Sequence, residues 1–125
     1  MLNDKQIEQG KAEAKLGDDP HHEHPDCIRI AFEWLDAQAR TSSSNKRTTR
    51  PLKHLIENWA NRYVSQSDVE VAAYLHPDII GTYPHFNISS RLIRPNGRRL
   101  KGIQEAGRHS YTDSYPAGTY KTDEP

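Results

Sequence analysis

Apolar residues recur at helical spacing in two stretches of the chain, and each stretch begins at a proline. The first starts at Pro25, and its apolar positions are Ile28, Ala31, Phe32 and Leu35. The second starts at Pro51 and carries an unbroken stripe of Leu52, Leu55, Ile56, Trp59 and Tyr63. Both stretches are predicted to be helices, because proline fits the first helical position and the apolar spacing matches one helix face. The first helix should end near Arg40, and a polar linker should follow over residues 41–49.

A third helix is predicted by the sequence Ser67-Asp68-Val69-Glu70, in which a capping serine is followed three residues later by a glutamate. This helix should run to about Leu75, because Pro77 pushes the residue before it out of helical dihedral angles. The two ends of the chain have little apolar periodicity. We therefore predict an acidic flexible leader over residues 1–23, a domain over residues 24–115 and a flexible tail over residues 116–125.

Residues 84–94 sort onto two faces when they are wound as a helix, and they are predicted to form the fourth one. The apolar residues of this segment fall on one face together with Ser89. The other face carries Asn87, Ser90, Arg91 and Arg94 and no acidic residue. A solvated helix face normally mixes both signs of charge, so an acid-free face indicates a binding surface.

More basic residues follow this predicted helix directly. Asn96-Gly97 is a strong turn signal, and residues 98–103 and 108–115 then read as two short strands of a β-hairpin. The hairpin would carry Arg98, Arg99, Lys101 and Arg108. The predicted fold is therefore mainly α-helical with a small C-terminal β-hairpin, an α+β arrangement.

The charges of the chain are separated along its length, although the formal net charge is zero. Residues 1–26 hold seven acids and three lysines, whereas residues 82–111 hold six cations and one acid, Glu105. Such a separation favours contact between the basic segment and a nucleic acid. Pairing of the two ends with each other would explain it as well.

Three helices followed by a helix with an acid-free face and a basic hairpin resemble the winged helix-turn-helix family, over roughly residues 51–115. The resemblance implies that residues 67–75 brace the fourth helix, that the fourth helix lies in the DNA major groove, and that residues 98–115 form the wing. Arg91 and Arg94 could then bind guanine or phosphate, and Asn87 has the donor and acceptor that match adenine. Ser90 could contact a base or a phosphate. The expected phosphate contacts are Arg98, Arg99, Lys101 and Arg108.

A second register of the same motif is possible, with residues 51–63 and 67–75 as the helix pair. Its turn would be closer in length to that of the simple motif than the connection over residues 76–82. The reading helix would then carry Asp68 and Glu70 and no cation. We prefer the register that uses residues 84–94, because two carboxylates would oppose the attraction to phosphate that dominates DNA affinity.

Other kinds of site find little support in the sequence. His21, His22, His24 and Cys27 are close together, but zinc sites usually draw their ligands from two separated knuckles, and there is no second cysteine pair. We expect no enzymatic activity, metal or cofactor, because nucleophile elbows, phosphate loops and His-Glu-x-x-His motifs are absent. We expect a cytoplasmic protein without a membrane span, because no apolar run approaches ~20 residues and the single cysteine fits a reducing compartment.

The expected function is that of a small DNA-binding protein, a regulator or architectural factor of the compact kind found in phages and mobile elements. The alternative is a protein-interaction module, an inhibitor or adaptor that docks a partner protein through its basic face or its acidic leader. A third option is binding of single-stranded DNA or RNA through Tyr111, Tyr115 and Tyr120, whose rings could stack on unpaired bases. The sequence leaves the oligomeric state open.

Overall fold

The computed structural model describes residues 1–45, 52–111 and 117–125. This part of the chain is mostly helical and contains two small two-stranded sheets. Its helices are α1 (Asp4–Glu13), α2 (Pro25–Asp36), α3 (Leu52–Ala60) and α4 (Gln66–Leu75). Its strands are β1 (Gly81–Thr82), β2 (His85–Phe86), β3 (Leu92–Arg94) and β4 (Tyr120–Asp123), and a 3-10 helix spans Gly97–Leu100.

Helix α2 lies at the centre and contacts the other three α-helices and the 3-10 helix. Five residues of its apolar stripe are fully buried: Ile28, Ile30, Ala31, Trp34 and Leu35. The helix predicted for this stretch is confirmed, although it ends at Asp36 and not near Arg40. The next predicted helix is confirmed as α3, which ends at Ala60 and leaves Tyr63 exposed outside it.

Helix α4 confirms the third predicted helix, but its cap differs from the predicted one. The Ser65 side chain accepts a hydrogen bond from the Asp68 backbone at 3.0 Å, and the Asp68 carboxylate accepts one from the Ser65 backbone at 3.2 Å. The capping box is therefore formed by Ser65 and Asp68, and the prediction of Ser67 and Glu70 is wrong. The cap does not use the Glu70 carboxylate, which lies on the side of the helix.

Helix α1 falls within residues 1–23, which were predicted to be a flexible leader. Its Ile7 is fully buried in the core. A methyl group added at Gly10 would lie 2.9 Å from Leu75 Cγ, so the glycine allows α1 to approach α4 closely. The prediction of a flexible leader is wrong for this helix, because one buried isoleucine and one glycine a single turn later dock it without a long apolar stripe. The tail prediction is wrong for β4, which pairs with β3.

Residues 84–94 do not form the predicted fourth helix. β1 and β2 pair as an antiparallel hairpin around a cis Tyr83–Pro84 peptide bond, and β3 begins after an irregular stretch over residues 87–91. Phe86 and Ile88 are both buried, at the two-residue spacing of extended chain. The apolar residues whose spacing suggested a helix therefore lie in short strands and in irregular chain.

The hairpin predicted over residues 98–115 is absent from its described part, residues 98–111, and residues 112–115 lie outside the described residues. Several backbone N–H groups in this region form local turns, and others bond to distant parts of the fold. Gly107 donates to the Ala60 carbonyl and His109 to the Asn61 carbonyl, both at 2.8 Å. The end of α3 therefore supplies partners that a second strand would otherwise have supplied.

The burial of Ile7 predicts that α1 contributes to stability. We expect Ile7→Ala to lower the free energy of unfolding by about 2–5 kcal/mol, the usual cost of truncating a fully buried isoleucine. Gln9→Ala, at an exposed position of the same helix, is the control and should cost well under 1 kcal/mol. Chemical denaturation measures both values. Equal, small effects of the two changes would show that α1 does not pack on the core.

Candidate nucleic-acid interface

The arginines of the described residues divide into two groups by their partners. Five of them form ion pairs with carboxylates of the protein: Arg29, Arg40, Arg62, Arg99 and Arg108. Three form none with any Asp or Glu side chain that the structure describes: Arg91, Arg94 and Arg98. These three are exposed and lie close together in the chain, in and beside β3 and the 3-10 helix.

Arg99 directly follows Arg98 in the chain but has the opposite environment. Its Nη1 donates to Glu33 at 2.9 Å and to Asp36 at 3.0 Å, both at the end of α2. Its Nε and Nη2 donate to the two carboxylate oxygens of Glu124 at 2.7 and 2.6 Å. These bonds raise the pKa of Arg99, and Glu124 contributes most. Arg99 was predicted as a phosphate contact, but its donors are used inside the protein, where they join α2 to the segment after β4.

Two of the carboxylates around Arg99, those of Asp36 and Glu124, have a lowered pKa, which favours their charged form. The hydrogen bond from Arg99 is the main reason that the pKa of Glu124 is lowered. Burial tends to raise the pKa of Asp36, but hydrogen bonds from His76 and Arg99 outweigh it and lower the pKa. His76 Nδ1 accepts from the Asp78 backbone at 3.1 Å, and His76 Nε2 lies 2.8 Å from both Asp36 Oδ1 and Arg40 Nη2.

Strand β3 is attached to the core by the side chain of Gln38. The amide of Gln38 is 2 % exposed and bonds both polar groups of the Ile93 backbone, accepting from its N–H at 2.9 Å and donating to its carbonyl at 2.8 Å. On the other strand of this sheet, the Tyr120 hydroxyl accepts a bond from Trp34 Nε1 at 2.9 Å. The two-stranded ribbon is therefore fixed to α2 and to the residues just after it.

We define the basic strip as Arg91, Arg94, Arg98 and Lys101. All four side chains are exposed, and no ion pair joins any of them to an Asp or Glu side chain of the described residues. Arg98 contacts the Asn96 side-chain oxygen at 3.2 Å and, at 3.5 Å, the main-chain oxygen of Pro125, the last residue of the sequence. Asp123 is the register partner of Arg94 across the parallel strands but forms no ion pair with it. The strip therefore offers four cations to an anionic ligand.

The other predicted contacts lie elsewhere or have partners in the protein. Asn87 is 5 % exposed, and its side chain accepts from the Ile80 backbone and donates to the carbonyls of Asp78 and Thr41. It is a buried structural residue, which corrects its predicted role as an adenine contact. Ser90 is exposed and accepts a bond from Asn45 at 2.8 Å. Arg108 is largely exposed and faces Glu105 at 3.4 Å.

The residues considered for zinc have other partners. His22 bonds to Asp68 at 3.0 Å, and His24 caps α2 by accepting from the Asp26 backbone. Burial raises the pKa of the Cys27 thiol to about 12, so the thiolate that zinc binds is disfavoured. Within the ranges that the structure describes, no three His, Cys, Asp or Glu side chains are arranged to hold a metal ion.

The remaining sequence alternatives concern α4 and the tyrosines. In the second register of the motif, α4 would be the helix that reads DNA. Much of its surface packs against the rest of the protein, because Val69, Val71, Ala72 and Ala73 are buried. Tyr120 is half-buried and bonded to Trp34, so it is not free to stack on a base. Tyr111 is also half-buried, and Tyr115 lies outside the described residues.

Comparison with known proteins found no significant match. No protein-family model matches the chain, and no curated protein or solved structure matches it significantly. None of the described helices has the length and apolar character needed to cross a membrane.

The ion pairs of Arg99 predict a dependence of stability on pH. A carboxylate with a lowered folded-state pKa stabilises the fold above its unfolded value, about 4, and this contribution is lost as the pH falls. We expect Arg99→Met to lower the free energy of unfolding at pH 7 by about 1–3 kcal/mol. The difference between the variant and the original protein should shrink below about pH 4.

Arg108→Met is the matched control, because Arg108 is exposed and pairs with one carboxylate. Its cost should be below about 1 kcal/mol. Urea denaturation at several pH values measures both variants. A pH-independent loss in Arg99→Met would show that Arg99 acts by packing alone.

Proposed function

We propose that this chain is a non-enzymatic protein that binds duplex DNA through the phosphate contacts of the basic strip. The observation that carries the proposal is the separation of the arginines into two groups. The fold pairs five arginines with Asp or Glu side chains and leaves Arg91, Arg94 and Arg98 without such a side-chain partner in one short part of the described chain. A phosphate backbone supplies the anions that these guanidiniums lack.

The proposed mode of binding differs from that of a winged helix-turn-helix protein. Residues 84–94 contain no helix that could enter the major groove. Cations on a short ribbon and a 3-10 helix suit phosphate oxygens, which fix position and affinity but carry no sequence information. We therefore infer weak sequence preference, which fits an architectural factor better than a regulator of one operator.

The strip predicts a defined dependence of affinity on salt. Four neutralised phosphates give a slope of about −3.6 for the logarithm of the association constant against the logarithm of salt concentration. Lys101→Gln should weaken binding to duplexes of different sequence alike and should reduce the slope by about 0.9. Fluorescence anisotropy with labelled duplexes over a salt series measures both quantities.

Lys5→Gln is the matched control, since Lys5 is an exposed lysine of α1 in another part of the chain. It removes the same charge and should leave the slope unchanged. The proposal fails if the two variants behave alike or if binding is insensitive to salt. Preferred binding to single-stranded DNA or RNA over duplex in the same assay would assign a different nucleic acid.

A further inference from the structure

A groove of about 740 Å³ lies on another part of the molecule and is independent of the basic strip. One wall is the face of α4 that carries Gln66, Glu70, Ala73 and Tyr74, at positions that share one side of a helix. The second wall is the end of α1 with the residues that follow it, 13–17. The third is the β1–β2 hairpin. No residue of the basic strip lines this groove.

The hairpin wall depends on a glycine. Gly81 has a φ of 104°, and a side chain there would place its Cβ 2.4 Å from the His85 carbonyl oxygen. Because only glycine fits this position, the two strands close tightly and bring Tyr83 and Phe86 to the groove. Their rings meet edge to face, with centroids 6.1 Å apart.

The groove surface is largely apolar and aromatic, and part of it is open to solvent. Tyr74 is 49 % exposed, although its hydroxyl donates to Glu13 across the groove at 2.7 Å. Leu16 and Tyr83 are partly exposed in the groove, and the buried side chains of Ile79 and Phe86 lie behind this surface. Exposed apolar and aromatic surface in a concave site is characteristic of a place where a ligand binds.

Two carboxylates in this groove form no ion pair with a lysine or arginine among the residues that the structure describes. Glu70 has one hydrogen-bond neighbour, the neutral amide of Gln66 at 3.5 Å, and burial raises its pKa although the bond from Gln66 and the charge of His22 tend to lower it. Glu13 accepts bonds only from neutral groups, the Tyr74 hydroxyl and the Gln9 amide. Lys15 lines the groove but forms no ion pair there.

We propose that this groove binds a lysine or arginine side chain with apolar neighbours, presented by a segment of a partner protein. The cation would lie against the exposed ring of Tyr74 and pair with Glu70 and Glu13, while the neighbouring apolar side chains cover Leu16 and Tyr83. Charge complementarity selects this occupant, because an anionic segment would leave two carboxylates facing like charge. The proposal goes beyond DNA binding and does not depend on it.

The test uses capped peptides with a central arginine or lysine flanked by leucine, phenylalanine or tryptophan. Each is titrated to millimolar concentration into the 15N-labelled full chain. We expect amide shifts at Ala73, Tyr74, Gly81 and Thr82. Replacing the arginine by citrulline, which keeps its shape and removes its charge, should weaken binding at least fivefold, and Glu70→Gln should do the same.

Glu8→Gln is the matched control, because Glu8 is exposed on α1 and does not line the groove. It should leave peptide affinity unchanged. The proposal is overturned if no peptide shifts the groove amides, or if the citrulline and arginine peptides bind equally. It is also overturned if the protein alone self-associates and Glu70→Gln abolishes that association, since a second copy would then be the occupant. These outcomes concern Glu70 and leave the DNA assay of the basic strip unaffected.

Discussion

Two buried side-chain amides determine how the chain between α4 and the 3-10 helix folds. This part of the chain has short strands and much irregular backbone, so its N–H and carbonyl groups need partners that regular structure does not supply. Asn87 binds three backbone groups around it, of Ile80, Asp78 and Thr41. Gln38 bonds both polar groups of Ile93. Each amide supplies the hydrogen-bond partners that a neighbouring strand would otherwise supply.

The position of β3 then decides which arginines meet carboxylates. Gln38 holds Ile93 next to the end of α2. The chain then passes directly to the 3-10 helix, where Arg99 reaches Glu33 and Asp36. Glu124 completes this cluster from the segment after β4. Arg91, Arg94 and Arg98 form no ion pair with these acids, so the same arrangement that neutralises one guanidinium leaves theirs exposed. The basic strip is therefore a consequence of how the ribbon is anchored.

The sequence predicted the helices with long apolar stripes and failed where burial rests on few residues. The stripes of α2 and α3 each supply several apolar positions on one face, and this spacing fits an α-helix but not a strand. In residues 84–94 the buried apolar positions fit both a helix and extended chain. The polar position that decides between them is Asn87, whose partners lie seven, nine and 46 residues away and at none of the spacings that a helix or hairpin pattern would reveal. Helix α1 was missed for a related reason, because its attachment depends on Ile7 and on the absence of a side chain at Gly10.

The candidate sites were only partly predictable. A concentration of basic residues near the C-terminal third was visible in the sequence, but the distinction between Arg99 and Arg98 depends on three acids that the fold brings together. The groove could not be predicted, because its walls come from α1, α4 and a hairpin that was expected to be part of a helix. The Glu70 carboxylate was assigned to a cap that Asp68 provides instead.

An NMR titration with a short DNA duplex tests the central claim most directly. Backbone amide shifts of the 15N-labelled protein would be followed at low salt as the duplex is added. If the basic strip is the contact surface, the shifts should concentrate in residues 91–101 and in β4, and they should disappear as salt is raised. Shifts confined to α4 and the β1–β2 hairpin, or none at all, would contradict the assignment of the strip as a DNA-binding surface.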